Sequence, residues 1–433
     1  MQDVGISTIG YPRWLRIIEK SNMDIQNSNQ EHKIPSGLLF DDPTPSAMVY
    51  PLPNRARMYL NRLSDSRGKP TLPKPQFTFL QIAFIVLLSI GLNNHVIIIP
   101  ILLDVSHRDA WLSVLVAAFL FIPFFYMIAS IIQRTGTDRP FLSWVGQRYG
   151  KWLSILIGAI GAIVLFMTAY ITGKDMVIWI NESFLPQTPM IVVTFSFIGV
   201  CYYLASSGIR TIAYSSAILL PLVVLFGEFV MTFNFPRKDY TALFPAFEYG
   251  AMPMWKGVFY IGASFLELIF LFLLQHYFAR PLRKRNVIIL GFLLAGLTIG
   301  PVMGALAEFG PTEGALLRFP AFEEWRIVKI GSYIEHVDFL SIFQWLSGAF
   351  IRIGLALFLI SDMTGKSKKW VLPSISGLLA VSISIKLPDN VFLYFLRTYY
   401  FPIAFCCLMA ILLLLFVLIR ISTRKGGRHT NAS

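Results

Sequence analysis

Charge is scarce in this 433-residue chain: Asp, Glu, Lys and Arg together make up only 14% of it, while 55% is hydrophobic. A water-soluble globule of that length cannot hide so much apolar surface, so a soluble protein is excluded. Cysteine is rarer still. Cys201, Cys406 and Cys407 all fall in apolar runs and the neighbouring pair cannot bridge without strain, so no disulfide framework is expected. The six histidines, at 32, 95, 107, 276, 336 and 429, lack ligand spacing, which removes the basis for a metal site. Nucleophile constellations and phosphate-cradling glycine loops are absent too, so neither an enzyme nor a cofactor is expected. Nor does the amino terminus carry a signal-peptide core.

Long apolar runs are what the chain has instead. Its mean hydropathy is +0.62. About twenty apolar residues are needed to cross roughly 30 Å of hydrocarbon, and runs of that order lie near 77–103, 112–132, 152–173, 189–205, 212–233, 255–278, 286–307, 337–361, 370–386 and 397–419. An all-α membrane domain of ten spans over 77–420 follows, with nine or eleven the neighbouring counts because the fourth and ninth runs are short. Most of the 37 basic residues fall in the two tails and in the alternate connecting segments that lie on the same side as them, with RPLRKRN at 280–286 the densest group. Basic segments are retained inside, so both termini, including the basic tail 421–433, are expected to be cytoplasmic. The net charge of +13 is largely this bias and does not point to nucleic acid.

Residues 1–76 differ in kind, with Pro-rich pieces, mixed charges and polar tracts. They fit a disordered cytoplasmic tail, a tail whose WLRIIEK and RMYLNRL stretches lie on the inner leaflet, or a reading frame whose natural start is downstream, for example at Met58.

Polar groups at membrane depth single out candidate sites, because each is costly there. GLNNHVIIIP at 91–100 puts Gly91, Asn93, Asn94, His95 and Pro100 inside span one. Glycine weakens a helix, Asn amides compete for backbone bonds and proline donates none, so this span is expected to be interrupted. Span six carries YIGASFLE at 260–267, where Gly262, Ala263 and Ser264 adjoin Glu267; a second interruption and plain small-residue packing both fit. Glu228 in span five and Arg352 in span eight are the other charges within spans, and either an inward site or a side chain reaching toward the headgroups fits them. Glu267 reads either as the structural partner of Arg352 or as a ligand-facing carboxylate.

Interruptions at corresponding positions in two halves of a five-plus-five arrangement point to an inverted-repeat transporter fold. Freed amide and carbonyl groups at half-helix ends suit a zwitterionic amino acid. Span three would cross such a site and supply Thr168, Tyr170 and Thr172. The ligand-binding set expected from the residues is therefore Gly91, Asn93, Asn94, His95, Thr168, Tyr170, Gly262, Ala263, Ser264 and Glu267, with Glu228, Glu267 and Arg352 as coupling or structural charges.

Three stretches carry a resemblance to a known family: FPAFEEWRIVKIGSYIEHVDFLSIFQWLSGAFIRI at 319–353, NNHVIIIPILLDVSHRDAWLSVL at 93–115, and RPLRKRN at 280–286, with TFLQ at 78–81 ahead of span one. Over about 77–420 the chain resembles the B subunits of spore nutrient-germinant receptors, the GerAB-type permeases of the amino acid, polyamine and organocation transporter superfamily. The resemblance implies ten helices in the five-plus-five, LeuT-like inverted repeat of the amino acid permeases, a place in the inner membrane of the spore, and partnership with an A subunit and a C lipoprotein. It also implies binding of a small germinant, often an amino acid, between helices 1, 3, 6 and 8. Glycines dominate span one in many transporters, whereas Asn93, Asn94 and His95 follow Gly91 here, so another small polar ligand also fits. The alternative function is a proton-coupled amino acid symporter in which Glu267 or His95 carries the proton.

One external segment completes the expectations. Over 319–335, Phe322, Trp325 and Val328 share a helical face with Glu323, Glu324 and Arg326 elsewhere, which fits plain interfacial anchoring, a lid across the external mouth or a contact for the lipoprotein subunit, and Ser332 with Glu335 has capping-box spacing before span eight.

Overall fold

The computed structural model describes residues 76–331, 336–365 and 368–428, except the side chains of 368 and 422–428. The expected tail 1–76 therefore lies outside the described residues, apart from Gln76, as does the capping pair Ser332 and Glu335.

Apolar runs this long can satisfy their backbone groups in a lipid environment only as helices, and the described chain is helical throughout, with one isolated bridge. There Phe77 N–H donates to the Tyr277 carbonyl at 2.7 Å and Ala279 N–H to the Phe77 carbonyl at 2.9 Å. The helices are α1 Phe79–Leu92, α2 Ile99–Ser106, α3 Ala110–Leu120, α4 Ile122–Thr135, α5 Phe141–Tyr149, α6 Lys151–Ser183, α7 Met190–Ser207 and α8 Ile209–Asn234. They continue as α9 Met252–Leu266, α10 Leu271–Leu274, α11 Lys284–Leu316, α12 Pro320–Arg326, α13 Leu340–Met363, α14 Lys368–Ser384, α15 Asp389–Phe395 and α16 Phe401–Arg428. A left-handed glycine, Gly310 at φ 75°, kinks α11.

Among the described residues, eight helical segments are long and apolar enough to span a membrane, and a ninth is added if α2 through α4, bent by 40°, count as one span. Each of the ten apolar runs has a helix, but the ninth run is the short α14, below spanning length by itself.

Burial separates centre from periphery. In the most apolar windows of Phe79–Ile97, Met252–Tyr277 and Val337–Met363, 72%, 78% and 72% of residues are buried, against 17% for Ile209–Arg237 and 28% for Met190–Ser207. The polar residues singled out in spans one, six and eight thus sit in the three innermost helices. α13 packs against both α1 and α6, and α9 against α3 and α16. Glycine permits one of these approaches: a Cβ on Gly262 would stand 2.2 Å from the Phe121 ring, so the small-residue patch of α9 is a packing face inside regular helix.

Candidate functional site

The first span changes register where its polar residues fall. After α1, Asn93–Ile97 winds as a π segment whose capping N–H, that of Ile98, reaches back to the Asn93 carbonyl, at 3.0 Å. Pro100 lies in the first turn of α2, where its missing N–H leaves the Val96 carbonyl without its α-helical donor; a wider turn absorbs that mismatch. Span one is therefore wound more widely here, where interruption was expected. Its amides turn toward α9: Asn93 Nδ2 donates to Ser264 Oγ at 2.7 Å, and Ser264 Oγ donates to Asn94 Oδ1. Span six changes winding too, but beyond the small-residue patch, where α9 tightens into a 3₁₀ turn over Glu267–Phe270.

At that turn Glu267 meets Arg352 from α13. Nη1 and Nη2 of Arg352 donate to Oε2 and Oε1 of Glu267, each at 2.8 Å, and both residues are buried. The remaining donors are used as well: Nη1 also reaches the Ser89 carbonyl at 2.8 Å and Nε reaches Thr172 Oγ1 at 3.0 Å. Four helices are tied at one guanidinium. Thr168 Oγ1 lies 3.3 Å from the Tyr400 hydroxyl. The space these residues enclose, between α1, α6, α13 and the helix of Glu267, is only about 30 Å³. That is room for a water or two.

A larger cavity of about 220 Å³ lies on the other side of α1. Its walls come from α1 and the π segment (Gly91, His95), α8 (Glu228), α11 (Gly300), α12 (Glu324) and α13 (Gln344). Glycines create part of the space, since a Cβ at Gly296 or Gly300 would meet no atom within 4 Å. His95 is fixed by Nδ1 at 3.0 Å from the Leu297 carbonyl; when that nitrogen carries the proton it donates and leaves Nε2 as an acceptor. Gln344 accepts from Trp325 Nε1 at 3.0 Å and donates to the Val223 carbonyl at 3.3 Å. The cavity opens where Val224, Glu228 and Gly296 are exposed. Most of its lining is aliphatic or aromatic, with few polar groups, which is how small-molecule sites are generally built.

The residues expected to gather in one site are thus divided. Gly91, His95 and Glu228 border the larger cavity; Thr168, Glu267 and Arg352 border the small void. Asn93, Asn94 and Ser264 form the bridge between them, Gly262 and Ala263 are packed in the core, and Tyr170 is half-buried beside it.

Two polar clusters were not foreseen. Beyond the end of α8, Lys238 Nζ lies 3.1 Å from Glu308 Oε1, with both side chains fully buried. Near them sits Glu324, which the amphipathic pattern of 319–335 placed off the apolar face yet which is 3% exposed. Phe322, Trp325 and Val328 are buried as that pattern requires, so α12 is covered on more than one side. Burial, with the Glu308 charge adding to it, holds the Glu324 carboxyl well above the usual carboxylate range, against the pull of Lys238. The second cluster joins Arg318 to Asp175 of α6 and Asp389 of α15, both at 2.7 Å. Neither cluster was legible because Lys238 and Arg318 stand in connecting segments, where a charge reads as solvated.

Comparison with known proteins places this architecture. Residues 75–388 match the family model for spore permeases, described as spore germination protein. Spore germination protein XB of Bacillus anthracis is 39% identical over 351 residues, covering 80% of this chain and 98% of that protein. Spore germination protein A2 of Bacillus subtilis (strain 168) is 24% identical over 244 residues, 55% of this chain and 66% of the relative. Spore germination protein B2 of the same strain is 22% identical over 288 residues, 62% and 75% respectively.

Proposed function

This chain belongs to the spore germination protein family of permeases, and on that premise we propose that it is the membrane subunit of a nutrient-germinant receptor, binding a small germinant in the cavity beside the π segment. Family membership and the long apolar helices make it a germination-related integral membrane protein. The finer reading adds ten spans in a five-plus-five inverted repeat, cytoplasmic termini, the inner spore membrane, and signalling through an A subunit and a C lipoprotein.

The observation that carries the reading is the contrast between the two spaces against α1. The one bounded by helices of spans one, three, six and eight is filled by the Glu267 and Arg352 pair and leaves about 30 Å³. The other offers about 220 Å³, below the 300–1,000 Å³ typical of drug-sized ligands and suited to a smaller molecule. Spans one, five, seven and eight with α12 thus form the ligand site in this reading, and spans three and six form the structural centre behind it.

Transmission follows from the connections of α1. A ligand pressing on Gly91 and His95 loads a helix whose next residues, Asn93 and Asn94, are hydrogen-bonded to Ser264 of α9. The wide π turn gives α1 a place where register can shift, as single-turn π bulges do at functional sites. Its Ser89 carbonyl is tied to Arg352, so movement of α1 reaches α13 and α6 as well.

Purified protein in liposomes tests the function: thermal stabilisation and uptake are measured on one panel of amino acids and related small molecules. Stabilisation without accumulation is expected. Concentrative uptake driven by a pH gradient would replace the receptor with a proton-coupled symporter.

A further inference from the structure

We infer that the larger cavity recognises a positively charged nitrogen, the ammonium of a small organic amine, through the carboxylate of Glu324. The inference deepens the receptor reading and rests on it for the location of the ligand. Glu324 borders the cavity, is 3% exposed, and its Oε1 has no hydrogen-bond partner among the described residues. A buried acceptor left unpaired costs free energy, and although Oε1 is closed off in the free protein, a ligand ammonium that draws the Glu324 side chain into the cavity it borders recovers that cost.

Three further observations set the sign of the ligand. None of the described residues lining the cavity is Lys or Arg, whereas Glu228 joins Glu324 there, so a free carboxylate would find no cation in the wall. The nearby cation, Lys238, is already engaged by Glu308 with both side chains fully buried, so Glu324 keeps its proton in the free protein, and an ammonium brought into the cavity compensates the charge when that proton leaves. Finally, the carboxylate lies against Gly304, where a Cβ would come within 2.8 Å of both its oxygens; only glycine leaves this place for it. The rest of the wall, including Leu87, Leu220, Trp325 and Trp345, suits a compact apolar body, and the aromatic rings add attraction for a cation. A ligand carboxylate is dispensable on this account, so a simple amine or an amino acid amide binds at least as well as the amino acid.

The test uses the full-length protein in nanodiscs, with thermal stabilisation and calorimetry against four probes at millimolar concentration: alanine, alaninamide, cyclohexylamine and N-acetylalanine. Alaninamide or cyclohexylamine should stabilise the protein, and N-acetylalanine, which has no ammonium, should not. Glu324→Gln should weaken amine binding at least tenfold without lowering the unfolding midpoint of the free protein, because a neutral amide replaces a carboxyl that the free protein holds protonated. Gly300→Leu, which fills the cavity from an open position, should abolish binding of every probe. Amine binding that survives Glu324→Gln but not Gly300→Leu would overturn Glu324 as the anchor and leave the cavity as the site. Binding that survives both variants would overturn the location as well. Preference for N-acetylalanine, or no amine binding at all, would equally sink the proposal.

Discussion

Replacing Glu267 by glutamine tests whether the centre of the molecule is a strut or a ligand site. The substitution keeps the shape but removes the negative charge that accepts two bonds of 2.8 Å from Arg352. Arg352 would keep the Ser89 carbonyl and Thr172 as acceptors, yet its charge would be left uncompensated at 2% exposure. Breaking one side of a buried pair costs about 3–5 kcal/mol. At roughly 2 °C per kcal/mol for a long chain, the unfolding midpoint should fall by about 6–10 °C. Removing both charges with apolar residues of similar volume, as in Glu267→Met with Arg352→Leu, should restore most of that loss, because the penalty belongs to the unpaired charge. The assay is thermal unfolding of the purified protein in detergent, followed by intrinsic fluorescence, on Glu267→Gln, on Glu267→Met and Arg352→Leu singly, and on their double. A Glu267→Gln midpoint within about 1 °C of the parent, or a double variant as unstable as the sum of the singles, would refute the reasoning.

Two other predictions follow from local geometry. Gly262→Ala places a Cβ 2.2 Å from the Phe121 ring, and overpacking of this kind should cost about 1–3 kcal/mol, read as a lower midpoint with ligand binding retained. The second concerns pH. The folded protein holds the Glu324 proton above the ordinary value of 4.5, so stability from this group is full below that value and is lost as pH rises toward the raised one. The loss should approach about 1.4 kcal/mol per pH unit within that window, and Glu324→Gln should flatten it. The charges that set the window are Glu308, which raises it, and Lys238, which lowers it; Glu228 and His95 line the same cavity, and Glu323 and Arg326 lie on the same helix. An unchanged pH profile in the variant would reassign the titration to one of these.

Span positions were legible because apolar run length is a property of local sequence. Gly91, Asn93, Asn94, His95, Glu267 and Arg352 also announced themselves, since polar groups at membrane depth need a reason. What they do there was less legible. The π turn satisfies the backbone that GLNNHVIIIP was expected to free, and the Asn side chains bond across to Ser264, a contact 170 residues distant in the chain. Glu267 and Arg352 were candidates for pairing, but only their three-dimensional approach shows how little space the pair leaves. Glu324 escaped because periodicity describes one covered face, whereas α12 is buried on more than one side. Gly296 and Gly300 escaped for the opposite reason: a glycine that opens a cavity and one that lets helices meet are spelled alike.

The central claim is that ligand enters the larger cavity and not the void behind α1. It is tested most directly by comparing Gly300→Leu with Thr168→Val for stabilisation by whichever small molecule stabilises the parent protein. Gly300→Leu projects into open space and raises helix propensity, so the free protein should remain folded while ligand stabilisation disappears. Thr168→Val alters the wall of the small void at nearly constant volume and should leave stabilisation intact. Loss of binding in Thr168→Val with retention in Gly300→Leu would contradict the account and return the site to the space around Glu267 and Arg352.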